Sequence, residues 1–333
     1  MEDVAARAGV SRALVSIVFR DAPGASGATR ERVRAAAAEL GFSPDHRARL
    51  LGRSRTGLIG VSFGLRLTFH ADLVEALYEV VRGSGYEVVL SGNGPGRTEE
   101  AALETLLGYR CEALVCLGPT LPVERLAALA AGHPLVVVAA RGGAPGVSSV
   151  RADDAGGVRL AVEHLLSLGH RRIAHVDGGR APGATDRRRA FRSASTRERP
   201  DGPWPVVPGG PTEVDGARAA PALLALLDRP GAPTAVQVFN DRCAAGLLHA
   251  LRSAGCRVPE DLSVVGFDDD RLSSVPGVDL TTVRQEPAEL ASRAFEHAVG
   301  QLEGCPASPG DDVVEPSLVV RGTTSSPRGG ATA

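Results

Sequence analysis

From Leu58 onward, short apolar runs alternate with stretches of helical period, and this alternation restricts the fold more than any other property of the chain. The runs at 58–63, 86–91, 113–117, 135–139, 173–176, 235–239 and 262–267 have strand length. They are too continuously apolar for a sheet with one face in water, which would alternate polar and apolar residues. Between them, 71–82, 155–168, 216–227 and 244–254 repeat apolar residues every three or four positions, as a helix packed by one face requires. Such alternation predicts parallel sheets covered on both faces by helices. The stretch of about 270 residues that carries it is long for one sheet and suits two lobes. Gly and Pro mark 142–146 and 178–183 as loops, and 324–333 reads as a disordered tail.

The first 57 residues have a different texture. Val4, Ala5 and Ala8 share one face of a short helix that Glu2 and Asp3 start favourably and Gly9 stops. Ser11 suits the N-cap of a second helix running to about Phe19, and Ser26 that of a third through Glu39, closed by Gly41. Pro44 then interrupts. The segment 45–51 has the length of one or two helical turns, too little to hold in water alone, and 53–57 has linker composition. The spacing of Ala5, Gly9 and Val15 meets the needs of a helix-turn-helix: a small residue where helices cross, a glycine in the turn, and a branched apolar residue that seats the second helix. Arg12, Ala13 and Ser16 then lie on the N-terminal face of the helix that enters a major groove. A generic helical hairpin has the same spacing. Charge favours DNA: 1–57 holds ten arginines and six acids, the rest of the chain 27 arginines and 33 acids, so the head is basic and the body acidic.

Several classes are excluded. A formal net charge of −2 is not that of a polycation. No run of about 18 apolar residues exists, so no membrane span is expected. The opening MEDVAARAGV puts acids where a secretory signal carries basic residues, and no apolar stretch follows, so a cytoplasmic protein is expected. Cys111, Cys116, Cys243, Cys256 and Cys305 are scattered without CxxC spacing, which fits reduced thiols better than disulfides or zinc. The pattern G-x-S-x-G at 60–64 falls within or at the end of a predicted strand and not on the strand-to-helix turn a nucleophile needs. The Gly-rich 92–96 lacks the lysine of a phosphate loop. His164, His170 and His175 are five or six apart and do not stack on one helical face as zinc ligands. No catalytic residue, metal or cofactor is expected, and the chain does not read as an enzyme.

The motifs then align with a known family. DVAARAGVSRALVS at 3–16, TRERVRAAAAELGFSP at 29–44 and HRARLLGRSRTGLIGV at 46–61 resemble, in order and spacing, the head of the LacI/GalR family of bacterial transcription regulators. The body agrees: VRLAVEHLLSLGHRRIAHV at 158–176, FNDRCAAGLLHALRSAGCRVPEDLSVVGFDD at 239–269, LTTVRQEP at 280–287 and EPSLVVRG at 315–322 resemble the family's effector domain at matching intervals. The resemblance covers the chain apart from the Pro/Gly insertions and the tail. It implies an α/β fold with a three-helix helix-turn-helix head at 1–44, a hinge helix and linker at 45–57, and a two-lobed effector-binding and dimerisation domain at 58–323. That domain is similar to type I periplasmic binding proteins, with parallel sheets flanked by helices. Lobe 1 takes about 58–154 and 284–306, and lobe 2 about 155–283 and 307–323.

The resemblance also implies roles. A homodimer binds a near-palindromic operator, protein two-fold symmetry matching that of the site. Arg12 and Ala13 match base-edge positions, and Arg12 suits a guanine, worth about 1–3 kcal/mol of discrimination. Ser11, Ser16, Thr29 and Arg30 match phosphate contacts, Ile17 and Arg20 share the DNA face, and Leu51 matches a leucine wedged into the minor groove. In the body, Arg187, Asn240 and Asp268 match groups that grip the hydroxyls of a sugar or related metabolite. Phe69, His70, Phe239 and Phe267 supply aromatic walls, and Arg141 follows Ala140, which stands where an acidic ligand residue is frequent. Asn240 and Asp268 have a second reading, as caps at strand ends. The function implied is an effector-controlled transcriptional regulator, a repressor, whose partners are operator DNA, a small molecule and a second copy of the chain, with no membrane partner. The alternative is a periplasmic-type binding protein without regulatory DNA binding. Departures from the family pattern are Leu14 for Thr, Ile17 where Arg is frequent, Arg20 for Asn, Pro211 for an aromatic, and the missing few residues before the first helix, which leave open a start upstream of Met1. Neither the operator sequence nor the effector carries over from the family.

Overall fold

The computed structural model describes residues 1–19, 22–42, 55–130, 132–198, 202–307 and 311–328. They fall in two compact units, Met1–Thr56 and Gly57–Ala333. The expected hinge helix with Leu51, and Arg20 of the head, lie outside the described residues.

In the first unit, α1 (Glu2–Ala8), α2 (Arg12–Phe19) and α3 (Gly27–Glu39) follow one another as the capping pattern predicts. Gly9 ends α1 at φ 63°, a left-handed conformation that glycine adopts without strain. The Leu14 N–H donates to Ser11 Oγ at 3.2 Å and the Thr29 N–H to Ser26 Oγ at 3.3 Å, satisfying donors that the starts of α2 and α3 would otherwise leave open. Val4, Ala5 and Ala8 of α1 meet Val15 and Val18 of α2 and Val33, Ala36 and Ala37 of α3 in a small core.

The second unit begins with lobe 1: β1 (Leu58–Gly64), α4 (Thr68–Val81), β2 (Glu87–Asn93), α5 (Glu99–Gly108), β3 (Ala113–Leu117), α6 (Val123–Ala130), β4 (Leu135–Val138) and β5 (Val147–Ala152). Lobe 2 follows with α7 (Asp154–Ser167), β6 (Ile173–Val176), α8 (Ala184–Glu198), β7 (Val206–Val207), α9 (Glu213–Leu227), β8 (Ala235–Val238), α10 (Asp241–Ser253), β9 (Ser263–Val265) and β10 (Thr282–Arg284). The chain then returns as α11 (Pro287–Leu302) and β11 (Asp311–Val314), and crosses once more to β12 (Ser317–Val319). Lobe 1 holds a parallel sheet in the order β11-β5-β4-β3-β1-β2, and lobe 2 one in the order β7-β6-β8-β9. The antiparallel pair β10-β12 joins the β9 edge through bridges at Val265–Thr281 and Asp268–Arg284. Three crossings therefore run side by side, tied by the Asp153 N–H to Val314 O bond at 2.9 Å and the Ser317 hydroxyl to Glu286 at 2.6 Å.

Burial on both sheet faces explains the unbroken apolar runs. Ile173, Ala235 and Val265 pack beneath α7 and α8, while Ala174, Val236 and Val264 pack beneath α9 and α10. Leu290, Ala291, Ala294 and Ala298 of α11 complete the lobe 1 core beside Leu73 and Leu77 of α4. Thr212 and Asp215 form a reciprocal cap that starts α9. The pair α9–α10 crosses so closely that a Cβ on Gly216 would stand 1.9 Å from the Cys243 carbonyl oxygen, and one on Gly246 1.9 Å from that of Glu213.

Three assignments change. The stretch 307–323 does not belong wholly to lobe 2: β11 pairs in parallel with β5 and so extends the lobe 1 sheet, with Asp311 accepting from Ser149 and Val314 buried. A further strand, β5, follows the 142–146 loop; its Ser148, Ser149 and Arg151 hide the apolar signal, yet the sheet buries both serines. The tail is held beyond its expected start, because Thr324 bonds His164 at 3.0 Å, and Ser325 accepts from the buried His170 ring at 2.9 Å and from Ser263 Oγ at 3.1 Å.

Candidate effector cleft and DNA-reading face

Parallel strands leave their C-terminal ends as the open edge of an α/β sheet, where ligands bind. Both lobes turn this edge to one cavity. Leu67, Phe69 and His70 follow β1, Gly118 follows β3, Ala139 follows β4, and Ala152 and Asp154 bound the end of β5. From lobe 2 come Ala181 and Pro182 after β6, Pro211 after β7, Phe239 and Asn240 after β8, Asp268 after β9 and Gln285 after β10; Arg151 and Arg187 complete the lining. The cleft, open to solvent on one side, gives water centres about 60 Å³. At about 15 Å³ per water centre that admits a few waters, so a hexose enters only if the lobes part or side chains move.

Arg187 is the hub. It projects from the first turn of α8 and is 4% exposed. Its Nε donates to Asp154 Oδ1 at 2.7 Å, and its Nη1 to Phe239 O at 2.8 Å and Asp268 Oδ1 at 3.3 Å. The guanidinium carbon lies 3.6 Å from the centroid of Phe267 and 4.9 Å from that of Phe239, so the plane is held by cation–π contact as well as by charge. Asp268 stands in a positive-φ conformation at 118°, unusual for a residue with a Cβ, and accepts a further bond from Gln285 Nε2 at 2.6 Å. Burial, with Asp270 nearby, pushes its carboxyl up to about 7, against the pull of Arg187 and Gln285.

His70 is buried, and burial lowers its pKa to about 4, so the ring is neutral at pH 7. The Gly64 N–H donates to its Nδ1 at 2.9 Å, which assigns the proton to Nε2 and leaves a donor toward Gly118. Asn240 caps α10 by accepting from the Cys243 N–H at 2.9 Å, and it donates to Pro211 O at 3.1 Å. The capping reading of Asn240 is therefore realised in the same residue that lines the cavity.

Of the residues expected to hold a ligand, Phe69, His70, Arg187, Phe239, Asn240 and Asp268 line the cavity. Phe267 and Arg141 do not. Phe267 is wholly buried behind Arg187, with its ring against the α-carbon of Gly157, where a Cβ would approach within 2.6 Å. Arg141 reaches across the cleft mouth instead, donating from Nε to Asp186 Oδ2 of the opposite lobe at 2.7 Å. It also bonds Asp311 at 3.4 Å. The lining position in that loop is Ala139, not Ala140. Asp154, Arg151 and Gln285 were not anticipated. Gln285 sits inside the LTTVRQEP motif, but Asp154 and Arg151 carry no local signal because their roles come from partners far along the chain. Arg151 is paired with Asp311 at 2.7 Å.

Both cations that line the cavity are paired, and carboxyl groups outnumber them three to two: Arg187 faces Asp154 and Asp268, and Arg151 faces Asp311. An anion would meet two carboxylates with every cation already paired, whereas neutral hydroxyls can donate to the carboxylates and accept from Arg187, Gln285 and His70. Other reactive groups are tied to structure. Ser62 lies inside β1 and is buried; burial pushes the thiols of Cys111, Cys116 and Cys243 up to about 12. His175 bonds Gln237 O at 3.1 Å and stacks on Phe191.

In the head, Arg12 and Ala13 stand exposed at the start of α2. Ser16 and Ile17 are half-buried, with Ile17 packed near Gly24. Thr29 Oγ1 bonds Ser26 Oγ at 2.9 Å, and Arg30 braces the turn before α3 by donating to Ala22 O at 2.5 Å and Ala25 O at 3.3 Å.

Residues 1–45 match the family model for bacterial regulatory proteins of the lacI family, and 162–324 match that of a periplasmic binding protein-like domain. The HTH-type transcriptional regulator GalR of Salmonella typhimurium is 35% identical over 334 residues, covering 98% of this chain and 96% of that one. The chain belongs to the LacI family of bacterial regulatory proteins. It is accordingly a DNA-binding transcriptional regulator and not an enzyme, and a binding protein without a DNA-reading head is set aside. Among solved structures, the lac repressor dimer bound to operator and the anti-inducer ONPF superposes with a TM-score of 0.77 at 31% identity, covering 97% of this chain and 98% of that one. The transcriptional regulator CelR in complex with cellobiose gives 0.68 at 29% identity with the same coverage. Among the described residues, no helix is long and apolar enough to cross a membrane.

Proposed function

We propose that this regulator acts in the cytoplasm as a homodimeric repressor of a near-palindromic operator, and that its effector is a neutral polyhydroxylated metabolite of the sugar class. The observation that carries the effector reading is the cluster Arg187–Asp154–Asp268, one paired cation among two carboxyl groups, set on aromatic rings between two lobes. It offers planar donors and carboxylate acceptors to hydroxyls, apolar faces to a ring, and no unpaired cation to a phosphate. The CelR–cellobiose complex and the operator-bound lac repressor dimer support the same reading by similarity. Arg12 and Ala13 read base edges, Ser11, Ser16 and Thr29 contact the backbone, and Leu51 of the expected hinge, outside the described residues, enters the minor groove. Unstacking that step costs a few kcal/mol, offset by the greater surface the bent duplex contacts. Effector in the cleft shifts the lobes, changes the spacing of the paired hinge segments, and so changes operator affinity; the coupling, typically about 1–3 kcal/mol, acts equally in reverse.

A thermal-shift screen of neutral mono- and disaccharides beside their phosphate esters tests the effector reading. A ligand at 100 times its dissociation constant adds about 2.7 kcal/mol. Stabilisation by a neutral sugar, with a matching change in gel shift on DNA upstream of its own gene, is the expected result; stabilisation by phosphate esters alone would refute it.

A further inference from the structure

The head carries an acid beside the residue expected to read DNA. Glu2, in the first turn of α1, sets Oε1 3.2 Å from Nη1 of Arg12, the first residue of α2. The two side chains are 81% and 70% exposed, and neither residue belongs to the apolar core of the head. An exposed pair of this kind adds little to stability. A carboxylate near a duplex also repels phosphate. What the pair changes is the behaviour of Arg12.

We propose that Glu2 is a specificity-determining residue: its carboxylate positions the Arg12 guanidinium for a base edge and neutralises it as a phosphate-binding cation. The proposal rests on the reading of Arg12 as a base contact. The guanidinium has five N–H donors in a fixed plane. Glu2 engages Nη1 and not the Nε–Nη2 edge, the pair of donors that suits the acceptors guanine presents as O6 and N7. The pairing also opposes the misfit of a cation at a helix N-terminus, so Arg12 need not swing away from α2. On unselected DNA, affinity comes from cations that release counterions, each contributing about 0.9 to the slope of log K against log salt. An arginine already paired with a carboxylate drops out of that set. Glu2 thus lowers affinity for every sequence, and lowers it least where a guanine takes the guanidinium, so discrimination rises as overall affinity falls.

The test uses the full chain, a random-sequence duplex pool for selection, and one unselected duplex titrated by anisotropy across salt. Wild type is expected to select a two-fold site with a preferred guanine in each half, and Arg12→Ala to erase that preference. Glu2→Gln is expected to keep the guanine but lower its preference about fivefold, and to steepen the salt slope on the unselected duplex by about one per head. If Glu2→Gln leaves preference and slope unchanged, or weakens binding to all duplexes equally, Glu2 has no such role. If wild type selects no two-fold site, the DNA-reading assignment of the head fails first, and this proposal fails with it.

Discussion

Replacing Arg187 by methionine removes the cavity's central cation while keeping much of its volume against Phe267. Asp154 and Asp268 then lose their charged partner inside the fold, a change that costs about 3–5 kcal/mol when a buried pair is broken from one side. Asp268 can reduce that penalty by taking a proton. Its folded-state pKa, about 7, already lies above the usual carboxylate range because burial outweighs the pull of Arg187. A carboxyl raised on folding binds its extra proton in the folded state, so its contribution favours the fold at low pH and is lost as pH rises through the folded value. Without Arg187 the folded pKa climbs further, and the pH range of that loss extends above 7. The stability gap between wild type and Arg187→Met should therefore widen from pH 6 to pH 8.5, by about 1.4 kcal/mol for each further unit of pKa. At the higher pH we expect a loss of about 3 kcal/mol, read by calorimetry as a fall of about 6–9 °C in Tm. A gap that does not change with pH, or one below about 1 kcal/mol at pH 8.5, would refute the account of Asp268 as a burial-strained carboxyl held by Arg187.

Gly246→Ala should lower stability by about 1–3 kcal/mol, since its Cβ would meet the Glu213 backbone carbonyl and α9 and α10 must separate; an unchanged urea midpoint would contradict the crossing. Arg12→Ala should relax preference at one base position per half-site, and a uniform loss across sequences would reassign Arg12 to phosphate. Arg141→Ala removes the bond to Asp186 across the cleft mouth; because Arg141 is about half exposed, Tm should change little while an identified sugar dissociates faster in stopped flow, and an unaltered rate would exclude a closing role.

The capping residues of the head and the two-faced apolar strands were legible because their determinants are local. Ser11, Ser26 and Gly9 act within a few residues of themselves, and an unbroken run such as 113–117 signals burial on both sides wherever it sits. The LacI resemblance likewise rested on ordered motifs, and six of the eight expected ligand residues line the cavity.

Chain periodicity determined the alternating α/β body and the helical head, and the basic charge of that head with its LacI-like motifs pointed to DNA. Tertiary structure decided which charges meet. Asp311 joins the lobe 1 sheet and pairs with Arg151, whose sequence distance of 160 residues no local pattern can encode. Arg141 turns to Asp186 rather than into the cavity, and Asp154 becomes the second carboxylate on Arg187, because Coulomb energy and desolvation depend on distance in space and not on separation along the chain. Secondary structure is a property of short windows; a binding site is assembled from residues that only the closed fold brings within 3 Å of one another.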